Sequence, residues 1–165
     1  MEVQRDWFDS DGKPLTGRSH SVGDIVIVQV KVRAKYAVHD ALLVERVPAG
    51  FEVENLNLSQ GPKAQDLEVG KVNVGQAMGS ARIKHREYRD DRFAAALDLD
   101  GNWLNLFYLL RAVTPGRYVV PPSFVEDMYR PELRGSGPAE AARTVVDPRR
   151  TGPAAAVAEG ASAPR

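Results

Sequence analysis

The chain has 165 residues, with 22 basic and 22 acidic side chains and no cysteine. This length suits one domain with a tail, and the zero net charge gives no long-range attraction to nucleic acid or anionic lipid. The absence of cysteine excludes disulfides, thiolate zinc sites and a cysteine nucleophile.

Residues 1–134 show the pattern of an antiparallel β-protein, with short apolar segments separated by turn residues. The predicted strands, in chain order, cover residues 2–8, 24–33, 42–47, 93–99, 104–113 and 117–120. In the second of these, alternate valines from Val26 to Val32 share one face, and the opposite face turns polar at Gln29. This alternation is typical of a half-buried strand. The stretch 56–80 predicts one or two short irregular strands.

The spacing of these segments favours an all-β fold, an antiparallel two-sheet β-sandwich of the macroglobulin or immunoglobulin type. We expect about seven strands, since the turn signals recur every 8–12 residues or so. We expect at most one short helix, because no apolar stripe of helical period runs longer than about two turns. The sandwich domain is predicted to cover residues 1–134.

The composition changes sharply near Gly135. Residues 135–165 contain nine alanines, four glycines and four prolines, and none of the aromatic residues of the chain. Such a segment buries too little apolar area to offset its chain entropy, which predicts a disordered tail over 135–165. One alternative stays open, that residues 144–146 add a short edge strand to the domain.

No set of catalytic or metal-binding residues emerges from the sequence. His20, His39 and His85 lie far apart, and no metal-ligand motif, nucleophile elbow or phosphate loop is present. The acidic pairs at 90–91 and 126–127 are adjacent residues, and adjacent side chains on a strand point to opposite faces. We therefore expect no enzymatic activity, no metal and no cofactor.

The segment 121–134 carries the clearest candidate for a contact site. Pro121 and Pro122 end a predicted strand. Two carboxylates, Glu126 and Asp127, come next, and Met128 and Tyr129 follow them before Pro131. Methionine adapts to irregular surfaces and tyrosine offers a large apolar body with a polar tip, so an exposed pair suits contact with another protein. The alternative is that Met128 and Tyr129 cover one end of the domain's own core.

Several blocks of the sequence, in order, are similar to one known family. They are VPAGFE at 47–52, YRDDRFAAAL at 88–97, FYLLRAVTPGRY at 107–118, VPP at 120–122 and VEDMYRPELRG at 125–135. Together they resemble the C-terminal macroglobulin-like domain of bacterial alpha-2-macroglobulins. The resemblance covers about residues 2–135, the whole predicted sandwich.

The resemblance implies a function in a protease trap. Proteins of this family are large periplasmic protease inhibitors, and in many members a thioester acylates the attacking protease. Their last domain packs against the thioester domain, where the Met-Tyr pair shields the thioester from hydrolysis. On this chain that role falls on Met128 and Tyr129, with Glu126 and Asp127 positioning the loop. The expected partners are the other domains, especially the thioester domain, and indirectly the target proteases.

Other features separate this chain from a whole family member. The bait region, the thioester residues and the lipidated cysteine are not among its 165 residues, so we expect a piece of a larger protein or a separate terminal chain. Residues 1–10 do not form a signal peptide, and no apolar run approaches the roughly 20 residues of a membrane span. We expect no nucleic acid partner and no direct membrane contact. The alternative function is an independent immunoglobulin-like adhesion or carbohydrate-binding module.

Overall fold

The computed structural model describes residues 1–54 and 66–150. Two parts of the predicted elements lie outside the described residues. They are the first part of the irregular stretch at 56–80 and residues 151–165 of the predicted tail. None of the helices in the described ranges is long and apolar enough to cross a membrane.

The described residues form strands almost throughout. The strands are β1 (Glu2–Phe8), β2 (Ser19–Ser21), β3 (Ile25–Arg33), β4 (Val38–Arg46), β5 (Phe51–Glu54), β6 (Glu68–Val69), β7 (Val72–Asn73), β8 (Ile83–Arg89), β9 (Arg92–Leu99), β10 (Leu104–Ala112), β11 (Gly116–Tyr118), β12 (Phe124–Asp127), β13 (Arg134–Ser136) and β14 (Arg143–Val146). One short α-helix, α1 (Val74–Met78), follows β7, and a 3₁₀ helix covers Pro148–Arg150.

Two antiparallel sheets make up the body of the domain. The four-stranded sheet has the order β1-β3-β10-β5, and the five-stranded sheet has the order β13-β12-β4-β9-β8. Phe93 of β9 stacks on Tyr108 of β10, with ring centroids 5.2 Å apart, so the two sheets share one core. The predicted all-β, antiparallel sandwich with one short helix is confirmed. The predicted count of about seven strands is too low, because several strands have only two to four residues.

The central strand β3 is more buried than its pattern predicts. Val26 to Val32 face the core as expected, but Ile27 and Gln29 on the opposite face are also buried. The reason is that α1 and the β6–β7 hairpin pack on this outer face. The Met78 sulfur accepts the backbone N–H of Phe107 at 3.1 Å, and Val69 and Val74 are buried there. Gln29 donates its side-chain N–H to Asn105, which satisfies its buried amide.

The edge strand β8 was not among the predicted strands. Its sequence, IKHREYR, carries charged side chains at most positions and shows no alternation that would mark a buried face. It forms because it pairs with β9, with Tyr88 opposite Phe93 on the core side. A strand that depends on its neighbour in this way gives little local signal.

A buried ion pair connects the two sheets. The Arg5 guanidinium on β1 lies 2.9 Å from the Glu45 carboxylate on β4, and the Tyr108 hydroxyl donates to the same oxygen at 3.0 Å. Glu45 is fully buried. Burial raises its pKa, while the attraction of Arg5 opposes that rise. Arg5 also donates to the carbonyl of Pro121 at 2.7 Å.

The segment after Gly135 corrects the prediction of a tail that begins there. Strand β13 pairs with β12, and β14 lies between β11 and β2 in a small three-stranded sheet. The open alternative of a strand at 144–146 is therefore confirmed, although this strand is central rather than an edge. Glu140 accepts from Arg5 at 2.6 Å and from the Trp7 indole at 2.8 Å. Residues 135–150 thus belong to the fold, because a few specific contacts outweigh their poor apolar content.

The role of the 137–150 segment can be tested by truncation. We expect a chain that ends after Ser136 to have a free energy of unfolding lower by about 3 kcal/mol or more than that of a chain that ends after Arg150. The shorter chain loses β14 with its buried Val145, and burial of one valine side chain contributes about 1.5–3 kcal/mol. It also loses the charge-assisted hydrogen bond from Arg5 to Glu140, which contributes about 1.5–3 kcal/mol. Urea unfolding followed by circular dichroism measures the difference. Equal midpoints for the two chains would show that this segment contributes nothing to stability.

Candidate functional site

The segment with Met128 and Tyr129 is the loop between β12 and β13. Strand β12 lies inside the five-stranded sheet, paired with β4 on one side and β13 on the other. The backbone N–H of Met128 donates to the carbonyl of Asp40 at 2.8 Å, which continues the pairing with the chain just before Ala41. The loop therefore begins from a fixed position at the end of the sheet.

Asp127 organises the loop through its side chain. One carboxylate oxygen accepts the backbone N–H groups of Tyr129 at 2.9 Å and of Arg130 at 3.1 Å, and the other accepts Arg130 Nε at 2.8 Å. The Asp127 side chain is almost fully buried. The N–H of Tyr129 and the other donors of the loop hold the pKa of Asp127 below its ordinary value.

The two predicted contact residues are exposed. Tyr129 is 80% exposed and Met128 is 43% exposed, and Leu133 at the other end of the loop is 41% exposed. Neither Met128 nor Tyr129 belongs to the core cluster. The alternative that this pair covers the domain's own core is therefore wrong. The loop presents apolar side chains to solvent, although its backbone is held by hydrogen bonds.

Glu126 lies apart from this arrangement. It pairs across the sheet with Leu42 and Arg134, and its side chain is on the opposite face of β12 from Asp127. There it lines a shallow hollow with Phe124 and Pro122. The structure brings Asp127 together with Met128 and Tyr129, but it does not bring the Glu126 carboxylate to the loop.

A charged cluster beside the loop was missed by the sequence analysis. Lys84 lies 3.0 Å from Asp40 and 2.7 Å from Asp98, next to the carbonyl that holds Met128. These residues come together only because β8, β9 and β4 are neighbours. No short-range signal in the sequence marks the cluster. Within the described ranges, no three histidine or acidic side chains are placed to hold a metal ion.

The comparisons with known proteins agree with this fold. The family model described as "Bacterial Alpha-2-macroglobulin MG10 domain" matches residues 1–132. This chain belongs to the bacterial alpha-2-macroglobulin family. Alpha-2-macroglobulin of Xylella fastidiosa, strain Temecula1, is 50% identical over 148 residues, which are 88% of this chain and 9% of that protein. The chain therefore spans about a tenth of the length of this curated relative.

Solved structures of the family contain the same fold. Native alpha-2-macroglobulin of Escherichia coli, from domain MG7 to the C-terminus, matches with a TM-score of 0.77 and 43% identity, over 87% of this chain and 23% of that one. Escherichia coli alpha-2-macroglobulin activated by porcine elastase matches with a TM-score of 0.78 and 44% identity, over 87% of this chain and 13% of that one.

The hydrogen bonds of Asp127 predict a pH dependence of stability. Because its pKa is lowered in the folded protein, its stabilising effect is fully present above the ordinary aspartate pKa of about 4. The effect is lost as the pH falls through the lower pKa of the folded state. We expect Asp127→Asn to lower the urea midpoint at pH 7 and to speed amide exchange at Tyr129 and Arg130.

The difference in urea midpoint between wild type and Asp127→Asn should narrow below about pH 4, where Asp127 becomes protonated first in the unfolded chain and then, at lower pH, in the folded protein. Asp91→Asn is the matched control, since the Asp91 side chain is exposed and its ion pair with Arg92 is long, at 3.9 Å. A midpoint difference that stays constant as the pH is lowered would contradict the role of the Asp127 charge. So would a difference equal to the one that Asp91→Asn causes.

Proposed function

We propose that this chain is the terminal, non-enzymatic domain of a periplasmic alpha-2-macroglobulin-like protease trap. In this proposal the loop of Met128 and Tyr129 packs on the thioester domain and shields the thioester. The observation that carries it is the pair of exposed apolar side chains on a loop whose backbone is fixed by Asp127. Family membership supports the setting, since the relatives are alpha-2-macroglobulins.

The chemistry of a thioester explains why such a loop is useful. A thioester is an activated acyl group that water and amines attack, so covering it with apolar side chains slows its loss. Methionine and tyrosine bury well, and neither is a strong nucleophile at neutral pH. A change in domain arrangement that withdraws the loop would then expose the thioester to an attacking protease.

The fixed backbone of the loop favours a tight contact. An unordered loop loses conformational freedom when it binds, and that loss reduces the net free energy of the contact. Here the carboxylate of Asp127 already orders Tyr129 and Arg130 before any partner arrives. We assign loop positioning mainly to Asp127. Glu126 would act on the opposite face of β12, and its effect on the loop would be indirect.

The alternative function, an adhesion or carbohydrate-binding module, lacks a supporting feature. Carbohydrate binding on a β-sandwich uses aromatic side chains gathered on one face. In the described part of the chain the exposed aromatic side chains are Tyr36 and Tyr129, which lie on separate loops. The known relatives also carry the alpha-2-macroglobulin name.

The shielding role predicts a loss of thioester protection in the whole parent protein. We expect Met128→Ala combined with Tyr129→Ala to speed the loss of the thioester in methylamine by about tenfold or more. Burial of each side chain contributes about 1.5–3 kcal/mol, and about 1.4 kcal/mol corresponds to a factor of ten. The release of a free thiol over time measures the rate.

Tyr36→Ala is the matched control, because Tyr36 is also an exposed tyrosine, 74% accessible, on a different loop. It should leave the rate unchanged. If the double variant loses its thioester no faster than Tyr36→Ala, the Met-Tyr loop is not the shield. Thermal unfolding of both variants should match wild type, since neither side chain belongs to the core.

A further inference from the structure

A second surface feature lies away from the Met-Tyr loop. It is a hollow of about 490 Å³ between the middle of β1, the segment 14–18 and the segment 139–143. We call it the arginine hollow, because Arg5, Arg18 and Arg143 line it. It exists only because residues 137–143 fold back along β1.

Arg143 is a buried cation with few partners. It is 5% exposed, and its guanidinium lies over the Trp7 ring, 3.6 Å from the ring centroid. One nitrogen is 3.1 Å from His20, but the Nε nitrogen is buried without an acceptor in the described part of the chain. No carboxylate among the described residues forms an ion pair with Arg143, and an unpaired buried charge is costly.

The acidic side chains of the hollow are already paired elsewhere. Asp6 lies 2.8 Å from Lys31, and Glu140 binds Arg5 at 2.6 Å and the Trp7 indole at 2.8 Å. Arg5 itself is paired with both Glu140 and Glu45. Within the described ranges neither Arg18 nor Arg143 forms a direct ion pair, and Arg143 has the longer-range attraction of Glu140.

The pKa values of Arg143 and His20 are lowered mainly by burial, with smaller contributions from nearby charges. Burial lowers the pKa of Arg143 to about 10, and repulsion from Arg18 and Arg5 contributes to this, against the attraction of Glu140. Burial and the charge of Arg143 also lower the pKa of His20. An anion close to Arg143 would oppose the repulsion from Arg18 and Arg5 but would not remove the effect of burial.

We infer that the arginine hollow binds a carboxylate, held between the guanidinium groups of Arg18 and Arg143. Guanidinium and carboxylate are both planar and form paired charge-assisted hydrogen bonds. The remaining walls include Leu15 and Pro14 together with two alanines, which suit the methylene stem of an acidic side chain better than a hydrated phosphate. The carboxylate could come from an acidic side chain of another polypeptide segment or from a small free acid.

Trp7 provides a local probe for the experiment. The 165-residue chain with Trp103→Phe keeps Trp7 as its only tryptophan. It is titrated with sodium acetate, with the α-amide of N-acetylglutamate, which carries only a side-chain carboxylate, and with sodium phosphate. Sodium chloride at equal ionic strength is the reference. We expect both carboxylates to change the Trp7 emission in a saturable way.

Arg18→Gln should weaken carboxylate binding about tenfold, since it removes one charge-assisted contact. Arg18 is exposed, so this variant is expected to fold. Arg33→Gln is the matched control, because Arg33 pairs with Glu2 on the surface, 2.7 Å away. It should leave binding unchanged. Tighter binding of the blocked glutamate than of acetate would identify a protein side chain as the source, and the reverse order would identify a free acid.

Three results would each overturn the inference. The first is an emission change no larger than that in sodium chloride. The second is carboxylate binding that Arg18→Gln and Arg33→Gln weaken equally. The third is phosphate binding without carboxylate binding. The inference does not involve Met128 or Tyr129, so it stands or fails independently of the proposed shielding function.

Discussion

The buried contact between Arg5 and Glu45 is the constraint on which the arrangement of this domain depends. The two side chains come from different sheets, and neither charge is tolerated in the core unless its partner is in place. The contact therefore fixes how β1 sits over β4. The remaining donors of Arg5 then reach Pro121, before β12, and Glu140 in the 137–143 segment. Four distant parts of the chain meet at one guanidinium.

This convergence explains both surface features of the domain. The bond from Arg5 to the Pro121 carbonyl holds the chain as it enters β12, whose far end carries the Met-Tyr loop. The bond to Glu140 brings the next segment back over β1 and so brings Arg143 onto Trp7. Glu140 binds Arg5 and Trp7 directly, and Arg143 forms no direct ion pair among the described residues. The loop and the arginine hollow are thus two consequences of one buried residue.

The sequence predicted those parts of the fold that depend on local patterns. Alternating valines marked β3, and turn residues marked the break between β9 and β10, because both signals come from neighbours in the chain. These two strands do not form a hairpin, since β9 and β10 belong to different sheets. It offered the strand at 144–146 only as an alternative to a disordered tail, since Glu140 finds its partners about 135 residues away. At the site, the residue types singled out Met128 and Tyr129. The residue types did not predict the hydrogen bonds of Asp127 or the separate position of Glu126, because both depend on how the strand and loop are placed in the fold.

The charged strand β8 has a further consequence for solubility. Among the described residues it forms one edge of the five-stranded sheet, and unpaired backbone groups at a sheet edge can recruit strands from other molecules. Lys84, His85 and Arg86 stand exposed along this edge, with Arg89 at its end. Charged side chains along an edge strand disfavour its pairing with a strand of a second copy. The charged side chains that remove the usual strand pattern from β8 therefore also disfavour edge-to-edge aggregation of the sheet.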